Sequence, residues 1–251
     1  MIEPYLSEMT SIDIDVISEY SPDSHNKRVI NQSNTLGVCN MAEIQMALDS
    51  LDFDATMALA EQVAPYVDIL EIGTPCIKYN GLKLVKALKA AHPTKKILVD
   101  LKTMDAGEYE STPFFEAGGD ICTVLGAADA ATVNGVIKAA KANGAEAQVD
   151  LISVEDKAAV AKEAAANGAQ IIGVHTGLDA QAAGQTPFAD LALIAGLGLD
   201  VKISVAGGIN KTTIQDTVRA GANIVVVGAA IYGAASPAES AKELRALVDA
   251  A

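Results

Sequence analysis

Eight apolar runs of strand length recur along this chain, and stretches with helical spacing separate them. The runs are IQMAL (44–48), VDILEI (67–72), KILVDL (96–101), DICTVL (120–125), EAQVDLI (146–152), QIIGVH (170–175), VKISVA (201–206) and NIVVVG (223–228). Between them lie Ala-, Lys- and Glu-rich segments such as FDATMALAEQVAPY, GLKLVKALKAAH, DAATVNGVIKAAKANG, VEDKAAVAKEAAANG and KTTIQDTVRAG, whose apolar residues fall at helical spacing. Several end in Asn-Gly or Ala-Gly just before the next run, as a glycine helix cap requires. Eight strand–helix units in about 210 residues fit one α/β domain, a (β/α)₈ TIM barrel over residues 41–251. An open doubly wound sheet would normally carry a Gly-rich turn after its first strand, but here that strand runs into ALDSLDFD, which has no glycine.

Residues 1–40 do not share this pattern. They hold Glu3, Glu8, Asp13, Asp15, Glu19 and Asp23, then the polar stretch SPDSHNKRVINQSNT. SIDIDVI could form a short strand, but no helical period follows it. The segment is too acidic for a transit peptide. It reads as an N-terminal extension, mobile or loosely docked. A further expectation is that Met41 is the true start, because MAEIQMALD begins the ordered pattern at once.

The interior must be built from aliphatic residues. Half the chain is hydrophobic, yet only 4% is aromatic and Trp is absent. Ala, Val, Ile and Leu suit helices packed on a parallel sheet. The net charge of −14 argues against nucleic acid or an anionic membrane as partner. It leaves room for a phosphorylated substrate, because backbone amides can bind phosphate inside an acidic protein. Cys39, Cys76 and Cys122 have no metal-ligand spacing and read as free thiols of a reducing compartment. No apolar run approaches the ~20 residues of a membrane span, and no basic segment precedes an apolar one as in a secretory signal. The expected location is the cytoplasm.

In a barrel of this kind, chemistry gathers where the strands end at the C-terminal face. Those ends hold Asp49, Glu71, Asp100 with Lys102, Thr123, Asp150, His175, the AGGI of 206–209 and the VGAAI of 227–231. The stretch VDLKTMDAGE (99–108) is the densest, with Asp100, Lys102 and Asp105 close together. Period-two alternation would turn Asp100 and Lys102 to one face. Asp105, on the following turn, would then hold the lysine charged. Such a cluster is costly to bury unless its members pair, so a protein that keeps it usually applies it to a substrate. His25 and His92 lie in polar or helix-end contexts and read as solvent-facing. Asp150 and Glu71 also fit as helix caps, and Thr123 as packing. Cys76 lies near the expected mouth but has no adjacent base to activate it.

Gly207 and Gly208 follow the seventh run and precede a helix, while Gly228 and Ala229 follow the eighth. Small residues let a phosphate approach the amides, and helix N-termini add partial positive charge. Barrels often bind phosphate between strands seven and eight. The pair of loops therefore points to a phosphorylated substrate.

With DLKTMDAGE, ALD at the first strand, EIGTP at the second, GVHTGLDAQ at the sixth and VAGGI at the seventh, residues 43–251 resemble the orotidine-5'-phosphate decarboxylase superfamily. Within it the pattern is most similar to the 3-hexulose-6-phosphate synthases. The resemblance implies an aldehyde-lyase. Its reaction is aldol addition of formaldehyde to D-ribulose 5-phosphate, giving D-arabino-3-hexulose 6-phosphate through a Mg²⁺-stabilised enediolate. It also implies a homodimer with active sites at the interface, where the residue matching Asp105 reaches in from the partner. Glu71 and Asp100 are the candidate metal ligands, for Mg²⁺ or else Mn²⁺. Asp49 would lie near the substrate hydroxyls. Lys102 would stabilise the enediolate, and His175 would take the C1 proton, although an aspartate could share that role. Thr123, Asp150, Gly207, Gly208, Gly228 and Ala229 complete the substrate-binding set.

Three other readings compete. A 3-keto-L-gulonate-6-phosphate decarboxylase shares the DxKxxD motif but carries an arginine three residues after the strand-six histidine and a glutamate at the end of strand five. Here those positions are Leu178 and Asp150. An orotidine-5'-phosphate decarboxylase would need an arginine on the phosphate, and the loops after strands seven and eight have none. A non-catalytic sugar-phosphate binder would have no use for so costly a charge cluster.

Overall fold

The structure is a computed structural model that describes residues 41–251. The extension and the proposed start at Met41 concern residues 1–40, and His25 and Cys39 lie there too; these expectations fall outside the described residues.

Eight parallel strands close into a barrel in chain order, β1 pairing with β8 to seal it. They are β1 (Glu43–Leu48), β2 (Ile69–Ile72), β3 (Lys96–Thr103), β4 (Ile121–Leu125), β5 (Glu146–Asp150), β6 (Ile171–His175), β7 (Lys202–Ala206) and β8 (Ile224–Val227). Each falls on one of the eight apolar runs, within one or two residues at either end. Around them lie α1 (Phe53–Val63), α2 (Thr74–Ala91), α3 (Gly107–Glu116), α4 (Ala130–Ala142), α5 (Lys157–Ala166), α6 (Leu178–Ala182), α7 (Phe188–Ala195), α8 (Ile214–Arg219), α9 (Ala229–Tyr232) and α10 (Pro237–Asp249). Among the described residues, no helix is long and apolar enough to cross a membrane.

The helix ends follow the glycine pattern. Gly118, Gly144, Gly168 and Gly221 all have positive φ just beyond α3, α4, α5 and α8. After α4, for example, the amide of Ala145 returns to the carbonyl of Ala140. This cap turns the chain sharply enough for β5 to begin at once.

Outward-facing strand residues such as Ile44, Met46, Val99, Cys122 and Val149 pack with the helices into one large core. A second, separate cluster fills the barrel itself: Ile69, Ile121, Ile171 and Ile224 from the even-numbered strands, with Leu98. This plug is why the barrel is no pore. Below it, the first residues of the odd-numbered strands alternate in sign: Glu43, Lys96, Glu146 and Lys202. Lys96 Nζ lies 2.9 Å from Glu43 Oε1 and 3.8 Å from Glu146 Oε2, and Lys202 pairs with Glu146. Replacing Lys96 with methionine leaves Glu43 without its cation, while Glu146 keeps Lys202. We expect a loss of about 1 kcal/mol in urea unfolding, the upper end for partly exposed pairs. The loss should shrink in high salt; a salt-independent loss would assign it to packing instead.

His92, expected to face solvent, is buried at the end of α2. Its Nε2 makes no hydrogen bond and lies 3.8 Å from Glu61 Oε2.

Candidate active site

Above the isoleucine plug the barrel opens at its C-terminal end into a cavity of about 1310 Å³. Asp49, Glu71, Asp100, Lys102, Asp150, His175, Gly207, Gly208, Gly228 and Ala229 all line it. These residues span more than 150 positions of sequence, and barrel closure alone brings them together.

Lys102 is the centre of the charge network. Its Nζ donates to Asp100 Oδ2 at 2.9 Å and to Asp150 Oδ2 at 3.0 Å. Burial would lower the lysine's pKa, but the two carboxylates more than offset it and hold the ammonium above the ordinary lysine value. Asp150 also accepts from the amide of Ile152 and bonds His175 Nδ1 at 3.0 Å. Burial would raise Asp150, but His175, then Lys102 and that amide, bring it down to about 2. Burial would likewise lower His175, and the bond and charge of Asp150 raise it instead. Asp150 therefore orients both a fixed cation and an imidazole. The imidazole's Nε2 has no protein partner among the described residues.

Lys102 does not reach this position by simple strand alternation. Its φ is +47°, in the left-handed region, and the β3–β4 register shifts between Val99 and Thr103. The Lys102 amide donates to Thr123 Oγ1, which itself donates to Asp100 Oδ1 at 2.7 Å. Thr123 is thus a brace for the irregular strand end rather than packing alone. Such backbone costs of order 1–3 kcal/mol and persists where surrounding contacts over-determine it.

Asp105 sits apart from the network. It is exposed on the turn after β3, and its carboxylate accepts from the Ala106 amide. Within one chain, Asp100 and Asp150, not Asp105, are the carboxylates that hold Lys102 charged. Glu71 and Asp150 cap no helix.

Glu71, deep in the cavity wall, is buried, and burial first and Asp100 second push it up to about 8. Asp49 is raised by burial and by Asp100, against Lys102 and His175. It lies against Gly73, where an added Cβ would stand 2.1 Å from its Oδ1. A side chain there would displace the Asp49 carboxylate from its place in the cavity wall.

At the opposite rim, Gly207 and Gly208 have φ of +123° and +72°. A Cβ on Gly207 would lie 2.8 Å from the Thr176 carbonyl oxygen. The amides of Gly208 and Ile209 donate to no protein acceptor among the described residues. Asn210 pins the turn, its side chain donating to the Gly208 carbonyl and accepting from Thr212. With the first-turn amides of α9, this rim can accept an anion.

Sequence reasoning passed over Gln45, Thr74, Gln148 and Asn210. Thr74 donates to Asp100, and Gln45 to Glu71 at 2.6 Å. Gln45 and Gln148 sit inside apolar runs, on the alternate positions that face the barrel axis. A polar residue spaced by two inside such a run was the available signal.

Residues 42–244 match the model of the orotidine 5'-phosphate decarboxylase / HUMPS family. The chain belongs to this family. A protein of Methylomonas aminofaciens, "3-hexulose-6-phosphate synthase", is 66% identical over 207 residues, which is 82% of this chain and 99% of the relative. The crystal structure of 3-hexulose-6-phosphate synthase from Salmonella typhimurium superposes with a TM-score of 0.81 at 39% identity, covering 83% of this chain and 99% of that one. A 3-keto-L-gulonate-6-phosphate decarboxylase from Vibrio cholerae follows at a TM-score of 0.75 and 31% identity, covering 84% and 98%. Within the family, the synthases are nearer to this chain than the decarboxylase, as Leu178 and Asp150 led us to expect.

Proposed function

We infer that this protein is an aldehyde-lyase that adds formaldehyde to D-ribulose 5-phosphate, forming D-arabino-3-hexulose 6-phosphate. The single observation that carries this reading is the Lys102 ammonium fixed between Asp100 and Asp150, with His175 on the same Asp150. That arrangement offers a fixed positive charge for an oxyanion beside a group able to move a proton.

The chemistry follows from these parts. The ketose phosphate binds with its phosphate on the amides around Gly207, Gly208, Gly228 and Ala229 and its hydroxyls near Asp49. His175 takes the proton from C1 at Nε2, while Asp150 holds the other ring nitrogen. Negative charge moves onto the C2 oxygen, and Lys102 donates to it. The C1 carbon then forms a bond to the carbon of formaldehyde. The aldehyde oxygen takes the proton back from His175, so nothing is consumed on the enzyme.

Glu71 and Asp100 would hold a divalent cation. Their oxygens are hard donors, and a cation would offset both the burial and, second, the Asp100 repulsion that raise Glu71. Among the described residues no three His, Cys, Asp or Glu side chains form a complete metal cage. Mg²⁺ needs none, since it commonly keeps waters and substrate oxygens as ligands. When bound, Mg²⁺, or Mn²⁺ in its place, would supply further positive charge to the enediolate oxygens.

A homodimer fits the same reading. Met104 and Tyr109, on either side of Asp105, are 54% and 87% exposed. A second copy covering them would shield apolar surface and bring its Asp105 to the cavity. Buried free thiols at Cys76 and Cys122 fit a reducing cytoplasm.

The test is formaldehyde consumption with ribulose 5-phosphate, with and without Mg²⁺. Metal-dependent consumption is the expected result. Release of CO₂ from 3-keto-gulonate 6-phosphate without formaldehyde uptake would instead favour the decarboxylase. Neither activity from folded protein would leave a binding barrel.

A further inference from the structure

Gln45 lies midway along β1 and is 2% exposed, one layer below the charged residues. Its Nε2 donates to Glu71 Oε2 at 2.6 Å, across 26 positions of sequence. Its own Oε1 is buried without any hydrogen-bond partner. An unpaired carbonyl oxygen in a barrel interior costs stability, and an apolar side chain would avoid that cost. The two faces of the carboxamide therefore differ: one is orphaned, the other is spent on Glu71. The amide presents its NH₂ to Glu71 Oε2, the orientation suited to the ionised, ligand-competent carboxylate, which only accepts.

We propose that Gln45 is a positioning residue that holds the Glu71 carboxylate in the rotamer and orientation needed to receive a divalent cation. This rests on the reading of Glu71 as a metal ligand. Glu71 has no other side-chain hydrogen-bond donor among the described residues. Without Gln45 it would be free to turn within the cavity, and each binding event would have to reorder it. Hydrogen bonds behind a metal ligand commonly govern affinity in this way. Gln45 acts through Glu71, the group it hydrogen-bonds.

The test is direct titration of Mg²⁺ and Mn²⁺ into the full-length protein without substrate, by calorimetry and by Mn²⁺ paramagnetic resonance. Gln45→Leu should weaken cation binding by about 10–100-fold, the usual range for such partners. Its melting temperature is measured alongside as the check on folding, because the variant loses the orphaned oxygen but leaves the buried Glu71 Oε2 without its donor. At saturating cation kcat should recover, and at limiting cation it should not. Gln45→Met gives the same comparison with a more adaptable side chain if the leucine variant does not fold. Binding by the wild type that is lost in Glu71→Gln but unchanged in the Gln45 variants would overturn this assignment alone. No cation binding by the wild type would overturn it together with the metal reading of Glu71.

Discussion

Lys102→Ala is expected to remove formaldehyde-fixing turnover, lowering kcat by at least ~10²–10³-fold, the usual loss for one oxyanion-stabilising donor. The same change leaves Asp100 and Asp150, which are 6% and 2% exposed, without their shared cation. Removing one partner of a buried ion pair costs about 3–5 kcal/mol. The variant should therefore melt lower as well as turn over more slowly. Lys102→Arg separates the effects. It keeps a charge between the carboxylates but cannot occupy the same point, so most stability should return while turnover stays low. Parallel measurement of melting temperature and formaldehyde consumption checks this. Full turnover in folded Lys102→Ala would remove Lys102 from the chemistry, and would favour a reading in which the cluster serves binding alone.

The second large effect concerns His175 and Asp150. His175→Ala should lower kcat by about 10²–10⁴-fold, the usual contribution of a general base. The sign of the pH dependence follows from the network. Asp150 raises His175 above its ordinary value of about 6.5. Only the neutral ring takes a proton, so kcat/KM should climb with pH through a midpoint above about 6.5. Asp150→Asn removes the anion and leaves burial, which lowers the ring's pKa, so the midpoint should move to lower pH. Stability carries the opposite sense for the two groups. The raised His175 contributes most below about pH 6.5, and that contribution fades as pH rises through its folded value. The lowered Asp150 contributes above about pH 4, and loses that contribution as pH falls toward about 2. A pH–rate profile of both proteins, with urea unfolding at several pH values, reads all of this. An unmoved midpoint in Asp150→Asn would exclude His175 as the titrating base.

Particular residues mark how far sequence reasoning reached. Asp100, Lys102, Asp150 and His175 were all legible, because each ends an apolar run where a barrel keeps its chemistry. Their wiring was not. Lys102 bonds a carboxylate 48 residues away rather than the one three residues on. Thr123 read as a substrate contact, or else as packing, because no local pattern announces the strand irregularity that it braces. Gln45 was hidden by its neighbours, an interior position in a run that otherwise reads as core. His92 was misplaced because a helix-end position does not by itself say whether neighbouring elements cover it.

The sequence by itself determined the elements and their order. Apolar runs, helical spacing and glycine caps act over a few residues, and local physics is enough to set them. The left-handed backbone at Lys102 and the partners of each buried charge came from tertiary structure alone. These depend on which strand ends meet once β1 joins β8, and no interaction along a short stretch of chain encodes that distance.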